Sequence, residues 1–118
     1  MDLPVEKAGD VAVVVVPVSE LDAGNTADFK RDMAPTLEAN AKVVLDLTGV
    51  RFIDSSGLGS FLSCLRKLST KGGDLKLCRV LQEVRTAIGL VRMNQMFEIL
   101  DTREDAVRAF HAQGAANR

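Results

Sequence analysis

Residues 43–68 read VVLDLTGVRFIDSSGLGSFLSCLRKL. Lys42 to Leu47 (KVVLDL) is an apolar run of strand length, closed by a Thr48-Gly49 turn signal. From Gly57 onward Leu58, Phe61, Leu62, Leu65 and Leu68 recur at helical spacing, with Ser60, Ser63, Lys67 and Thr70 on the opposite face. Gly72-Gly73 stops that helix. Between strand and helix stands FIDSSGLGS, residues 52–60: two apolar residues, a carboxylate, two hydroxyls and a Gly-Leu-Gly step. A helix that begins near Ser56 leaves its first N–H groups without internal partners. Ser55 or Ser56 can cap them, and Asp54 suits the positive end of the helix dipole. A single cap needs only one of the two hydroxyls. Gly57 and Gly59 strip side chains from the helix start, which lets another backbone or a partner group come close.

Upstream, Pro4 to Ala8, a Gly9-Asp10 turn and the run Val11 to Val16 predict a hairpin entering the core. Four consecutive valines from Val13 leave no alternation, so that strand should be covered on both faces, with Pro17 ending it. Ser19 to Asn25 reads as a polar loop. Asn25 or Thr26 should cap a helix carrying Phe29, Met33 and Leu37, which Pro35 should kink or shorten. Downstream, Asp74 to Arg79 alternates, with Leu75, Leu77 and Arg79 on one face and Lys76 and Cys78 on the other. Val84, Ile88 and Val91 mark a further helix that Gly89 weakens, and Met96 to Leu100 reads as a short strand. Thr102-Arg103-Glu104-Asp105 resembles a capping box with Asp in place of Glu, opening a last helix with Val107 and Phe110 on its apolar face. Strands alternating with helices after a hairpin imply an α/β fold: one mixed sheet of four to five strands with helices packed on it. One domain spans 1–118, with 112–118 expected to fray.

The composition narrows the function. The formal net charge of -1, with Trp and Tyr absent, argues against a nucleic-acid surface, which needs a basic stripe or stacking aromatics. The longest apolar run falls far short of a membrane span, and Met1-Asp2-Leu3 opens no secretory signal, so a cytoplasmic protein is expected. Cys64 and Cys78 read as reduced, buried thiols, and two Cys with one His make a metal site or cofactor unexpected. Catalysis is unexpected too. The only His, His111, lies near the C-terminal end, Ser55 and Ser56 sit in no G-x-S-x-G elbow, and Gly57–Ser60 lacks the Lys of a phosphate-binding loop.

The stretch from Val43 to Leu68 resembles the signature of the STAS domain family, in particular its bacterial anti-sigma factor antagonists. SELDAGN (residues 19–25) resembles the family's loop and first helix entry, and VRTAIGLVRMNQMFEIL (84–100) its later helix and terminal strand. The resemblance implies a STAS-like domain whose phosphorylated serine is Ser55, the first hydroxyl after Asp54. It implies a partner-binding surface at Asp22, Asp54, Ser56, Gly57, Leu58 and Gly59, although the spacing of Leu58 with Phe61 and Leu62 reads as core. Asp46 matches a strand position ahead of the site. Ser19 replaces the usual glycine of the loop, the loop at 23–25 is longer than in some members, Pro35 interrupts the first helix, and Val91-Arg92 stands where many members show Thr-Gly.

The implied activity is partner switching. The unmodified protein binds an anti-sigma factor, usually a serine kinase, and so frees a sigma factor. The kinase phosphorylates the antagonist and ejects it, and a serine phosphatase restores it. The alternative is a STAS subunit of a stress-signalling complex, or of a transporter or lipid-transport ATPase; a small enzyme or ligand-binding domain is the third reading. Direct nucleic-acid contact and membrane insertion are not expected, and the oligomeric state is open.

Overall fold

The structure, a computed structural model, describes residues 1–116, with side chains through 111. The fraying expected for 112–118 lies outside the described side chains. Strand β1 (Val5–Ala8) pairs antiparallel with β2 (Val11–Val15), with Gly9 between them at φ +63°, a conformation that a turn can give glycine without strain. After β3 (Glu20–Leu21) come α1 (Thr26–Ala39), β4 (Lys42–Asp46), β5 (Phe52–Ile53), α2 (Ser55–Ser69), β6 (Asp74–Cys78), α3 (Gln82–Leu90), a 3-10 turn at Met93–Gln95, β7 (Ile99–Leu100) and α4 (Arg103–Ala116). The main sheet has five strands in the order β1-β2-β4-β6-β7, antiparallel only at the hairpin. It is the mixed sheet with an N-terminal hairpin that the sequence predicts.

Strands β2, β4 and β6 are largely buried on both faces; β2 and the centre of β4 therefore read as apolar runs, while β6 is interrupted by the buried Lys76. On one face Ala12, Val14, Val43, Leu45, Leu75 and Leu77 meet the three helices α1, α2 and α3. Phe29 of α1 packs edge-to-face on Phe61 of α2, ring centroids 5.9 Å apart. On the other face Val11, Val13, Val44 and Cys78 pack beneath Ala106 and Phe110 of α4. Lys76 is fully buried there, its ammonium 4.6 Å from the Phe110 ring centroid and 2.7 Å from Glu98.

Several details depart from the sequence reading. Pro35 lies inside α1 without shortening it. The residue is exposed, so the Arg31 carbonyl it leaves unmatched faces water rather than the core. Asn25 precedes α1 but gives no side-chain cap; its side chain accepts from Asp22 N–H and donates to the Glu20 carbonyl. Ser60 belongs to the buried stripe of α2, where its hydroxyl donates to the Gly57 carbonyl, while Leu62 is half-exposed. Arg79 is not a strand residue; it leaves β6 at φ 55°. Val91 is 53% exposed, and Arg92 after it takes φ 60°, the left-handed backbone for which glycine is the natural residue. The Thr102 hydroxyl accepts from Asp105 N–H, giving the expected cap of α4, while Asp105 turns to Arg108 rather than completing a box.

Asp46 ties α4 to the sheet. It is 2% exposed at the end of β4, accepts from the Thr48 N–H (3.0 Å) and hydroxyl (2.6 Å), and pairs with Arg103 at 2.9 Å. Burial alone would raise its pKa, but the Thr48 and Arg103 donors outweigh it and hold the carboxyl below its usual 3.8. A carboxyl depressed in the folded state contributes stability in full above its unfolded pKa and loses it as pH falls through the folded one. Asp46→Asn should therefore cost about 1.5–3 kcal/mol at neutral pH. The gap to wild type should begin to narrow as pH falls below 3.8 and go on narrowing as it passes through the lower folded-state pKa, and urea melts at pH 7 and at successively lower pH check both the loss and its direction.

Candidate functional site

The loop read as Ser19–Asn25 is not wholly irregular. Within it, β3 pairs in parallel with β5, Glu20 beside Phe52 and Leu21 beside Ile53. Arg51 and Phe52 N–H both donate to the Ser19 carbonyl, at 2.7 and 3.1 Å, and Asp54 N–H to that of Leu21 at 3.3 Å. Leu21 and Ile53 point into the core. A two-strand ribbon is thus laid across the entrance to α2, and it brings the Asp22 loop to the serine-bearing turn.

Helix α2 begins at Ser55, one residue ahead of the expected start, and its N-cap is Asp54 rather than either serine. Asp54 Oδ1 accepts from Gly57 N–H at 2.9 Å and from the Ser56 hydroxyl at 2.6 Å, while Oδ2 accepts from Ala23 N–H at 3.1 Å. Ser56 therefore supports the cap without being the cap. The Ser56 hydroxyl, followed by the Gly57 N–H, holds the Asp54 carboxyl below its ordinary pKa, so it is ionised at neutral pH. Asp22 Oδ1 accepts from Gly24 N–H at 2.9 Å, and its carbonyl accepts from Asn25 and Thr26 N–H at the entry to α1. One carboxylate shapes each loop, and the Ala23–Asp54 bond joins the two.

The remaining motif residues divide by exposure. Ser55 and Gly59 are exposed, Ser56 is half-buried, and Gly57 and Leu58 are buried. Leu58 is in the core, as its spacing indicates. The backbone that needs Gly57 bare is the protein's own: a Cβ there would lie 2.5 Å from the Leu21 carbonyl oxygen and 2.6 Å from Ile53 Cγ1. Sequence reasoning missed the ribbon, the Ala23 N–H and the exposure of Phe52; the alternation Phe52 out, Ile53 in was the available signal.

Chemically this is a surface hydroxyl at a positive helix end, flanked by ionised carboxylate. His111 lies on α4, across the sheet, 3.7 Å from Asp10. Among the described residues no three His, Cys, Asp or Glu side chains group to hold a metal, and no helix is long and apolar enough to cross a membrane. Burial pushes the Cys64 thiol up to about 11 and that of Cys78 to about 12, so both stay protonated in the core as free cysteines.

Residues 2–106 match the STAS domain model. The chain belongs to the STAS domain family. The anti-sigma F factor antagonist of Paenibacillus polymyxa is 33% identical over 113 residues, covering 92% of this chain and 93% of that one. Among solved structures, an anti-sigma factor antagonist from Mycobacterium paratuberculosis is 25% identical, covers 92% of each chain and superposes with a TM-score of 0.80. The unphosphorylated anti-sigma factor antagonist SpoIIAA, at 20% identity, covers 94% of this chain and 97% of its own with a TM-score of 0.78; it shares the fold. Within this STAS domain, the departures at Pro35 and Val91-Arg92 are both accommodated at exposed residues.

Proposed function

We propose that this STAS domain is an anti-sigma factor antagonist switched by phosphorylation of Ser55. In the cytoplasm its unmodified form binds an anti-sigma factor that is also a serine kinase, a serine phosphatase resets it, and the chain is a substrate rather than an enzyme. The observation that carries the reading is the placement of Ser55: exposed, first in α2, beside a carboxylate that already caps the helix. The name of the 33% identical Paenibacillus relative supports the same reading.

A helix N-terminus accepts an anion without unfolding, because its free N–H groups and dipole stabilise negative charge. Asp54, not Ser55, does the capping, so modification of Ser55 leaves the cap in place. The partner surface then comprises Asp22, Asp54, Ser55, Ser56 and Gly59, with Gly57 and Leu58 setting its shape from behind.

The test is capture of partners by the unmodified protein, followed by incubation with the captured kinase and ATP. Wild type should gain one phosphate, on Ser55, and Ser55→Ala none. Phosphate mapped to Ser56, or to the buried Ser60, would overturn the assignment. Co-purification with a transport ATPase and no kinase would favour the alternative of a transporter subunit.

A further inference from the structure

The two faces of the sheet are held unequally. On one, a continuous apolar cluster runs through α1, α2 and α3 and takes in the β3–β5 ribbon at Leu21 and Ile53. On the other, α4 seats through Ala106 and Phe110, with Val107 partly buried, on Val11, Val13, Val44 and Cys78. The two buried charges among the described residues, Asp46 and Lys76, both alternate onto this thinner side, one residue away from strand neighbours that face the larger cluster. Lys76 meets α4 at the Phe110 ring, 4.6 Å away, while its ion pairs are with Glu98 at 2.7 Å and Asp74 at 3.4 Å, neither of them on α4. A cleft of about 350 Å³, with Glu6, Ala8, Val13, Arg103, Val107 and His111 among its walls, separates α4 from the N-terminal hairpin.

We propose that α4 is a latch: it opens from the sheet as a unit, uncovering Cys78 and the second sheet face, while the side built from α1, α2 and α3 stays folded. The cost of opening scales with the apolar area uncovered, and the cluster under α4 is the smaller one. Opening also returns water to Lys76 and Asp46, whose desolvation the closed state bears. It strands neither charge. Lys76 keeps Glu98 and Asp74 beside it, and Asp46 keeps the Thr48 N–H and hydroxyl. The opposite face has no such compensation, because separating it uncovers the whole larger cluster and breaks the Phe29–Phe61 contact. Segments with little buried apolar contact open well below the free energy of global unfolding. Helix α2 and the ribbon that hold the Ser55 turn belong to the larger cluster, so the latch works independently of phosphorylation there.

The chain carries a reporter in each layer: free, buried Cys64 lies in the larger cluster and free, buried Cys78 beneath α4. The experiment labels the intact protein with dithionitrobenzoate in urea below the unfolding transition. Peptide mass spectrometry gives the rate at each cysteine, divided by the rate of the same cysteine in the unfolded chain. Cys78 should label at least about tenfold faster than Cys64, with the shallower urea dependence of a smaller exposed area. Phe29→Leu, in the larger cluster, should speed Cys64 at least about fivefold and leave Cys78 unchanged. Labelling of Cys64 as fast as that of Cys78, or a Phe29→Leu protein in which both speed up alike, would mean that Cys78 is reached only through global unfolding and would overturn the latch. The wild-type comparison decides the matter by itself if Phe29→Leu does not fold.

Discussion

Ser55→Asp, or stoichiometric phosphorylation of Ser55, is expected to weaken anti-sigma factor binding by about 100-fold or more while leaving the fold intact. Both halves of the expectation follow from where Ser55 sits. On the protein side, a phosphate adds about 1.5 to 2 negative charges at the first position of α2, where unpaired N–H groups and the dipole favour an anion. The residue is exposed, so repulsion from Asp54 is screened by water, and the cap bond from Gly57 N–H to Asp54 does not involve it. On the partner side the balance reverses. A surface fitted to a hydroxyl between Asp54 and Gly59 must desolvate a dianion beside a carboxylate that is already ionised. About 2.8 kcal/mol of uncompensated desolvation is enough for a 100-fold change, at 1.4 kcal/mol per tenfold. Titration calorimetry against the anti-sigma factor and a thermal melt of the same samples separate the two effects. Equal affinity for Ser55→Asp and wild type would sink the charge account, and a large drop in melting temperature would recast the switch as local unfolding.

The parts of the fold that were legible in the sequence are those in which one physical pattern dominates. Val11 to Val16 is covered on both faces, so burial wrote an unbroken apolar run there, and Val43 to Leu45 follows the same pattern. Phe29, Met33 and Leu37 recur at one helical spacing because one face of α1 is buried. The turn that opens α2 was legible as a motif, but its mechanics were not. Strands β3 and β5 have two residues each, too short to show a period, and only their pairing reveals them as a ribbon. The cap could not be assigned because Asp54, Ser55 and Ser56 all carry suitable oxygens; geometry chose Asp54 and left Ser55 free. Ser60 was placed with the polar face because its type is polar, yet a hydroxyl bonded to a carbonyl three residues earlier can be buried at little cost. Local propensity failed at Pro35, where solvent takes over from the lost helical bond.

The two glycines of the motif should respond to alanine in opposite directions. At Gly57 the added carbon would lie 2.5 Å from the Leu21 carbonyl oxygen, which is backbone and cannot rotate away, and 2.6 Å from Ile53 Cγ1. Relief requires the ribbon to move off the start of α2, which strains the Asp54–Leu21 and Ala23–Asp54 bonds that join the two loops. Overpacking of this kind costs about 1–3 kcal/mol, and the constraint here comes from backbone, so Gly57→Ala should lie near the upper end. Because the displaced ribbon carries the Ser55 turn, its phosphorylation should slow as well. At Gly59 nothing lies within 4 Å of the added carbon, and the residue is inside the helix. Gly59→Ala should raise stability by up to about 1 kcal/mol through helix propensity. Urea unfolding of the two variants gives the sign directly, and a neutral Gly57→Ala would show that the ribbon is not tightly seated on α2. The pair also separates folding from recognition: a Gly59→Ala protein that is more stable yet binds the anti-sigma factor poorly would mark Gly59 as a place where the partner, rather than the fold, requires a bare backbone.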